Sequence, residues 1–349
     1  MAVDDFGIVV GINSYPDIGT LQGPEADATD FFNWLISDRG GEVPSTHIRK
    51  IVTSDFAAQP RKPTEEIANA FDDLQTAAFV GPVAKRLGRR LYVFIAGHGA
   101  GLPFLNDPDG TDAALLLANA TKNNATHVMT RVRALYFLRA GMFDEIAVFM
   151  DCCRQPVPVN PNFPNYLGAI DVTTLNQEPR KFFAFATKWG LATRERTFDG
   201  VTRGVFTVAL MKGLRGAAAD RTGTITSNSL RDYLMVHMRD QLNPADLTNP
   251  SVPQEPHVPP QSVNLVFGTL ENPPLVKVTI TVPPGAANQP ITVNDGQLDE
   301  VASGNTGPGP TWSVPSPLPK GLYEVNIPAL NLNTTFRLSG DEGAFNVNL

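Results

Sequence analysis

Over its first 269 residues the chain alternates short β-branched runs with longer amphipathic stretches, and this alternation limits the available folds more than any other feature. FGIVVGI at residues 6–12 reads as a buried strand of the parallel type. DATDFFNWLI at 27–36 reads as a helix, with Phe31, Trp34 and Leu35 at helical spacing. HIRKIVT (47–53) is a second strand, and Thr64 opens a helix whose first turn holds Glu65 and Glu66, where carboxylates suit the helix dipole. RRLYVFIAG (89–97) is a third strand; residues 132–141 form a helix closed by Gly141. EIAVFMDCC, from Glu145, is a fourth strand and FFAFAT (182–187) a fifth, followed by helices at 205–213 and 229–241. Strands and helices in this order predict an α/β fold: a mostly parallel, doubly wound sheet flanked by helices on both faces.

The alternation ends at a run of prolines. Of 30 prolines, 16 fall between Pro244 and Pro319, and residues 244–260 are too proline-rich for a helix or a central strand. A connector is expected over 244–274, dividing a domain at 1–268 from one at 275–349. Beyond Pro274 the pattern has period two, as in VKVTITV, with PITVNDG, YEVNIPAL, TTFRLS and GAFNVNL as further strands between Pro, Gly and Asn clusters. That predicts a small all-β sandwich. It holds no histidine and no cysteine, so the chemistry is expected in the first domain.

Charge and cysteine content exclude several classes. Twenty-eight basic and 35 acidic side chains give a net charge of −7, without the basic surplus that phosphate-backbone binding needs. The two cysteines, Cys152 and Cys153, are neighbours and cannot staple a fold, so a reducing compartment fits better. The opening MAVDDFGIVVGINSYP has no basic region before its apolar run, and no apolar stretch approaches the roughly 20 residues that span a bilayer. A soluble cytoplasmic protein, with no nucleic acid or membrane partner, is the expectation.

Functional groups of α/β sheets gather beyond the carboxyl ends of the strands. The third strand stops at Gly97-His98-Gly99-Ala100-Gly101, and the fourth at Asp151-Cys152-Cys153-Arg154. A histidine between glycines at a strand end, beside a cysteine at the end of a neighbouring strand, can supply a thiol nucleophile with its general base. The plainer alternative is an inert thiol and a turn histidine. The glycines at 97–101 do not make a phosphate loop: GxGxxG is not met and no Walker lysine appears.

Strand-His-Gly, a helix, then strand-Asp-x-Cys resembles the caspase-like cysteine peptidases of clan CD (peptidase family C14), in particular the metacaspase and orthocaspase branch. Leu21-Gln22-Gly23-Pro24-Glu25-Ala26-Asp27-Ala28 is similar to that branch's L-x-G-x-x-x-D-A segment, and Gly204-Val205-Phe206-Thr207 opens a late helix as in the family. Gly223 with the helix from Ser229 also fits. The resemblance covers roughly residues 5–268.

The resemblance implies a thiol protease in which His98 is the general base, Cys153 the nucleophile and Cys152 a bystander, with the backbone N–H groups of Gly99 and Cys153 as the oxyanion hole. It implies that Asp27 and Asp151 line the primary specificity pocket, so that proteins or peptides are cut after Arg or Lys. As plain residues, Asp27 reads as a helix-terminus carboxylate and Asp151 as a strand-end hydrogen-bonding group. Arg180 and Lys181 fall in the family's processing region and are the expected self-cleavage points, with Arg194, Arg196 and Arg203 as alternatives. Asp107, Asp109 and Asp112 form an acidic loop after His98. Many metacaspases need calcium, so the resemblance leaves calcium regulation through this loop open, but the spacing does not fit an EF-hand and reads more simply as a solvated turn. No other cofactor is expected. Where the family commonly has His-Ser-Gly after its nucleophile, this chain has Arg154-Gln155-Pro156. The competing readings are a caspase-fold pseudoenzyme acting as a scaffold through protein contacts, with the terminal domain docking a partner, and a non-proteolytic cysteine hydrolase.

Overall fold

The computed structural model describes residues 2–79, 84–103, 111–156, 180–220, 222–253, 255–270, 275–296, 298–340 and 342–349. The chain forms two compact units, one of Met1–Met211 with Leu234–Leu265, the other of Lys212–Tyr233 with Val266–Leu349.

In chain order the elements leading to the division are β1 (Asp5–Gly11), α1 (Pro24–Ile36), β2 (Ile48–Val52), α2 (Lys62–Ala78), β3 (Gly88–Ala96), β4 (Gly99–Pro103), β5 (Thr111–Leu116) and β6 (His127–Val128). Then come α3 (Thr130–Arg139), β7 (Phe143–Asp151), β8 (Arg180–Phe185), β9 (Glu195–Phe198), β10 (Val201–Gly204) and α4 (Val205–Lys212). The five long runs legible in the sequence form one sheet in the order β2-β1-β3-β7-β8, with every neighbouring pair parallel. Because side chains alternate along a strand, the sheet has two distinct faces. Leu91, Val93 and Ile95 of β3 and Ile146, Val148 and Met150 of β7 share a core with Ile67 and Phe71 of α2 and Phe137 of α3. The opposite parity, Phe94 and Phe149, meets Phe31 of α1, with ring centroids 4.6 and 5.3 Å apart. Truncating Phe31 to alanine removes the ring that ties α1 to the sheet, a change that costs about 3–5 kcal/mol in such cores.

Two small sheets that the periodicity did not announce sit at the carboxyl end. β4, β5 and β6 form an antiparallel three-stranded sheet directly after His98, and β9 and β10 form a hairpin. Their strands are two to six residues long, too short for a period to be read.

The proline-rich connector differs from its expected form in two places. Residues Pro244–Thr248 make a short helix, α6, because a proline at the first helical position has no useful N–H to lose and the Asn243 side chain accepts the Asp246 N–H at 2.7 Å. Further on, His257 and Phe185 exchange both backbone hydrogen bonds at 2.9 Å, so the connector covers the β8 edge of the sheet.

The second unit contains two four-stranded sheets, as its period-two pattern requires. One is built on β13 (Leu275–Thr281), flanked by β16 (Thr311–Ser313) and β17 (Leu318–Pro319), with β20 (Ala344–Asn348) parallel to it. The other runs β15 (Glu300–Asn305), β14 (Pro290–Asp295), β18 (Gly321–Ile327), β19 (Leu332–Leu338). Val276, Val278 and Ile280 point into a core with Val293, Trp312 and Val325. The same unit includes β11 (Thr224–Thr226) paired with β12 (Val266–Thr269), and part of α5 (Ser227–His237). Lys320 fastens this earlier segment, donating to the Ala217 carbonyl at 3.0 Å and lying 5.2 Å from the Tyr233 ring centroid.

Candidate functional site

Strands β3 and β7 are adjacent, with Ala96 in register with Asp151, so the His98 and Cys153 segments leave the sheet side by side. The contact is close: a Cβ on Gly99 would stand 2.5 Å from the Cys153 carbonyl oxygen and 2.8 Å from Cys152 Sγ. Only a residue without a side chain fits between them. Cys152 continues the parity of Ile146, Val148 and Met150 and is buried in the core, whereas Cys153 is partly exposed.

His98 is fastened from several sides. Tyr15, which follows β1 and is fully buried, accepts the His98 backbone N–H at 2.9 Å and meets the imidazole edge-on at 4.8 Å. Gly97 makes room for it, since a Cβ there would stand 2.5 Å from Tyr15 Oη. The His98 carbonyl accepts the Leu116 N–H at 2.9 Å, tying it to β5. The imidazole hydrogen-bonds the Gly19 backbone, leaving Nε2 buried with no hydrogen-bond partner among the described residues. No residue near His98 in the sequence marks a group that would orient it. Tyr15 and the Gly19 backbone are two such groups, and a backbone atom leaves no side-chain signal to read.

The electrostatics hold both groups neutral. Burial pushes the His98 imidazole below its ordinary value, partly offset by the Gly19 hydrogen bond and the charge of Glu195. Burial pushes the Cys153 thiol up; the Thr193 N–H opposes this while the charges of Asp151 and Glu195 reinforce it. At neutral pH the resting pair is therefore thiol and imidazole, not thiolate and imidazolium.

Asp27 and Asp151 come together around Gly204, where a Cβ would meet Asp151 Oδ2 at 2.0 Å and Asp27 Oδ2 at 3.0 Å. Each already has bonds. Asp27 accepts from Arg203 Nε and from the Gly204 N–H at 2.8 Å, and Arg203 also donates to Asp30 at 2.8 Å. Asp151 accepts from Thr193 Oγ1 at 2.9 Å and from the N–H and hydroxyl of Thr207 at 3.1 and 2.7 Å. Burial, then the charge of Asp151, raises the Asp27 carboxyl to about 8 against the pull of Arg203. Burial likewise raises Asp151.

A third acid, missed in the sequence, stands with them. Glu195 accepts the Gly23 N–H at 2.8 Å, is half-buried, and adds its negative charge to the surroundings of His98, Cys153 and Asp151. Its neighbours turn elsewhere: Arg194 pairs with Asp246 at 3.0 Å and Arg196 donates to the Gln241 carbonyl. Arg-Glu-Arg at the start of a strand was the available signal, since strand alternation sends the acid to the side opposite the two arginines.

Arg154-Gln155-Pro156 is accommodated by its own contacts. Arg154 is buried, with its guanidinium 4.5 Å from the Phe185 ring centroid and donating to the Thr187 carbonyl at 3.3 Å. The Gln155 carbonyl accepts the Gly101 N–H at 2.8 Å, and Pro156 bridges to Gly101.

Arg180 and Lys181 lie far from these groups. They open β8 in register with Glu145 and Ile146, at the end of β7 opposite Cys153, and Arg180 Nε donates to Glu145 at 2.8 Å. Asp107 and Asp109 lie outside the described residues, and Asp112 is described only by its backbone pairing with Leu102. Among the described residues no group of three or more His, Cys, Asp or Glu side chains could hold a metal ion, and no helix is long and apolar enough to cross a membrane.

No family model matches the chain. Among solved structures, it is similar to a structural-genomics target protein from Geobacter sulfurreducens, with a TM-score of 0.41 and 15% identity over 77% of this chain and 95% of that one. It is also similar to caspase-1 from Spodoptera frugiperda, with a TM-score of 0.47 and 16% identity over 77% and 93% of the respective chains. Among curated proteins, a probable protease of a Desulfuromonadales bacterium is 25% identical over 227 residues, 61% of this chain. The match spans about a quarter of that relative's length, 26%, and over this stretch the chain is similar to a probable protease.

Proposed function

We propose that the protein is a cysteine endopeptidase that cuts protein or peptide substrates after Arg or Lys, with Cys153 as nucleophile and His98 as general base. The observation that carries this reading is His98 itself: its backbone and one ring nitrogen are bonded, while Nε2 has no partner among the described residues, on the strand end beside Cys153. The similarity to a probable protease supports the reaction class.

Because both groups rest neutral, the proton moves as the bond forms. His98 Nε2 takes the thiol proton while Cys153 Sγ attacks the carbonyl carbon, and the oxyanion is received by the N–H groups of Gly99 and Cys153. The imidazolium then protonates the leaving amine. Water, deprotonated by the same imidazole, hydrolyses the thioester and releases the carboxylate and the free thiol. Asp27, Asp30, Asp151 and Glu195 outnumber the one guanidinium of Arg203, and Asp27, raised to about 8, is mostly protonated at neutral pH and ionises when a cation arrives. That favours a guanidinium or ammonium and repels an acidic side chain.

The test is a set of fluorogenic peptides differing only at the residue before the cut, run on the wild type and on Cys153→Ala. Arg and Lys peptides are expected to exceed Asp and neutral ones by at least about 100-fold, and the variant to lose them all. Equal rates in the variant overturn the assignment. The scaffold reading is favoured by one observation, that Asp27 and Asp151 are already fully bonded to the protein's own groups, and inactivity on every peptide supports it. A reducing compartment suits the free thiol of the proposed nucleophile. Calcium dependence is tested by chelator, and self-cleavage by incubating active protein. Cleavage after Arg180 or Lys181 requires opening the start of β8, so it needs a second molecule or a different arrangement of that strand.

A further inference from the structure

The loop after β8 carries Trp189 with 46% of its surface exposed, the largest side chain left open near the candidate site. It is not a loose residue. Arg154 donates its N–H to the Leu191 carbonyl at 3.0 Å, Gly190 donates back to the Arg154 carbonyl at 2.9 Å, and the Arg154 guanidinium holds the Thr187 carbonyl. Gly190 takes a φ of 88°, a left-handed turn that glycine adopts without strain. The indole is thus presented by a loop fastened to the residue next to Cys153.

Its edge lies over β4. A Cβ on Gly101 would stand 2.8 Å from both Cδ1 and Nε1 of Trp189, so the strand that leaves His98 has no side chain where the indole passes. The acids gather at a different place: Asp27 of α1 and Asp151 meet around Gly204, whereas the indole lies against Gly101. The reaction fixes which end of a substrate meets which side. The side chain before the cut goes to the carboxylates, whereas the leaving amine must reach His98, so the residues after the cut pass along the strand that begins at Gly99.

Resting on the peptidase reading above, we propose that Trp189 forms the floor of the leaving-side subsite and selects a large apolar or aromatic side chain immediately after the cut. Exposed tryptophan on a rigid support is the residue type that most often dominates a binding surface, because it offers a large contact area at little entropic cost.

The test uses internally quenched peptides identical up to an Arg at the cut and carrying Phe, Leu, Gly, Ser or Asp after it. The quantity read is the ratio of kcat/KM for Phe or Leu to that for Gly within each protein, which is independent of overall activity. The wild type is expected to show a ratio of about 10 or more, Trp189→Ala a ratio near one, and Trp189→Phe most of the wild-type ratio. A wild-type ratio near one, or an unchanged ratio in Trp189→Ala, overturns the proposal. A short Arg-aminomethylcoumarin substrate, which has no residue after the cut, separates the two failures. If the wild type cleaves it but shows no ratio, only the subsite fails; if it cleaves nothing, the peptidase reading fails and the subsite with it.

Discussion

The two ends of the central sheet both bury charge, and they handle it in opposite ways. At the amino end of β3 and β7, Asp5 and Glu145 meet Arg89, Arg90 and Arg180, so cations outnumber anions. Burial pushes Glu145 up, but Arg90 and Arg180 more than reverse it, and its carboxyl lies below the ordinary range. At the carboxyl end, Arg203 pairs with Asp27 and Asp30, while Asp151 and Glu195 are bonded by hydroxyls and backbone N–H groups. There burial wins, and Asp27 and Asp151 are raised. At the amino end burial still raises Asp5, whose Oδ1 has no hydrogen-bond partner among the described residues, so it is at Glu145 that pairing outweighs burial, as a fold requires of buried ions. An excess of carboxyl groups over guanidinium, with Asp27 held mostly protonated until a cation arrives, is what a site for a cationic partner requires.

The sharpest way to break this contrast is at the carboxyl end. Cys153→Ala is expected to lower kcat/KM by at least about 1,000-fold with an unchanged melting temperature, read from peptide hydrolysis and thermal unfolding together. At the amino end the pattern should invert. Glu145→Ala leaves Arg90 buried without its carboxylate, which costs about 3–5 kcal/mol, so the melting temperature should fall while the still-folded fraction keeps its activity per molecule. If Glu145→Ala left stability untouched, the network there would not be structural.

Glu195→Gln tests whether the surplus of negative charge reads the substrate. It is expected to reduce kcat/KM for Arg peptides about 10-fold, close to 1.4 kcal/mol, with a smaller effect on neutral peptides. A uniform loss across all peptides would instead mark Glu195 as acting on the reacting groups. The pH profile follows from the same electrostatics. His98 must be neutral to accept a proton, and its value is lowered, so the acid limb of kcat/KM should lie below the ordinary imidazole value of about 6.5. Cys153 is raised, so its alkylation by iodoacetamide should accelerate only above the ordinary thiol range. Rapid alkylation at pH 5 would show a preformed thiolate. Tyr15→Phe has the smallest expected effect: one hydrogen bond to the His98 N–H is lost, about 1 kcal/mol, or roughly a 5-fold fall in kcat with KM little changed.

What the sequence made legible follows from length and burial. The central strands β1, β3 and β7 are runs of apolar residues covered on both faces, the edge strands β2 and β8 are covered in part, and β13 alternates because one face meets a core and the other is more open. The positions of His98 and Cys153 were legible because each ends such a run, and the pairing of β3 with β7 brings those ends together. The groups that support them were not. Tyr15 acts across 83 residues of sequence through its hydroxyl, the Gly19 contribution is backbone, and Glu195 reaches Gly23 across 172 residues. Such contacts depend on which loops meet above the sheet, and no local period encodes that. Arg203 shows the same limit: as one of several basic residues it read as a cleavage point, and only its bonds to Asp27 and Asp30 give it a structural partner.

The division of the chain into units also bears on how the protein is made. Lys212–Tyr233 leaves the ribosome before the strands it belongs with, and β12, which pairs with β11, follows some 40 residues later. At about 5–20 residues per second, β11 waits roughly 2–8 s for that partner. The first unit, too, is incomplete until Leu234–Leu265 has emerged. A premature stop after residue 265 would therefore not deliver an intact peptidase-like unit with a clean end, but one carrying a stretch whose docking surface was never synthesised.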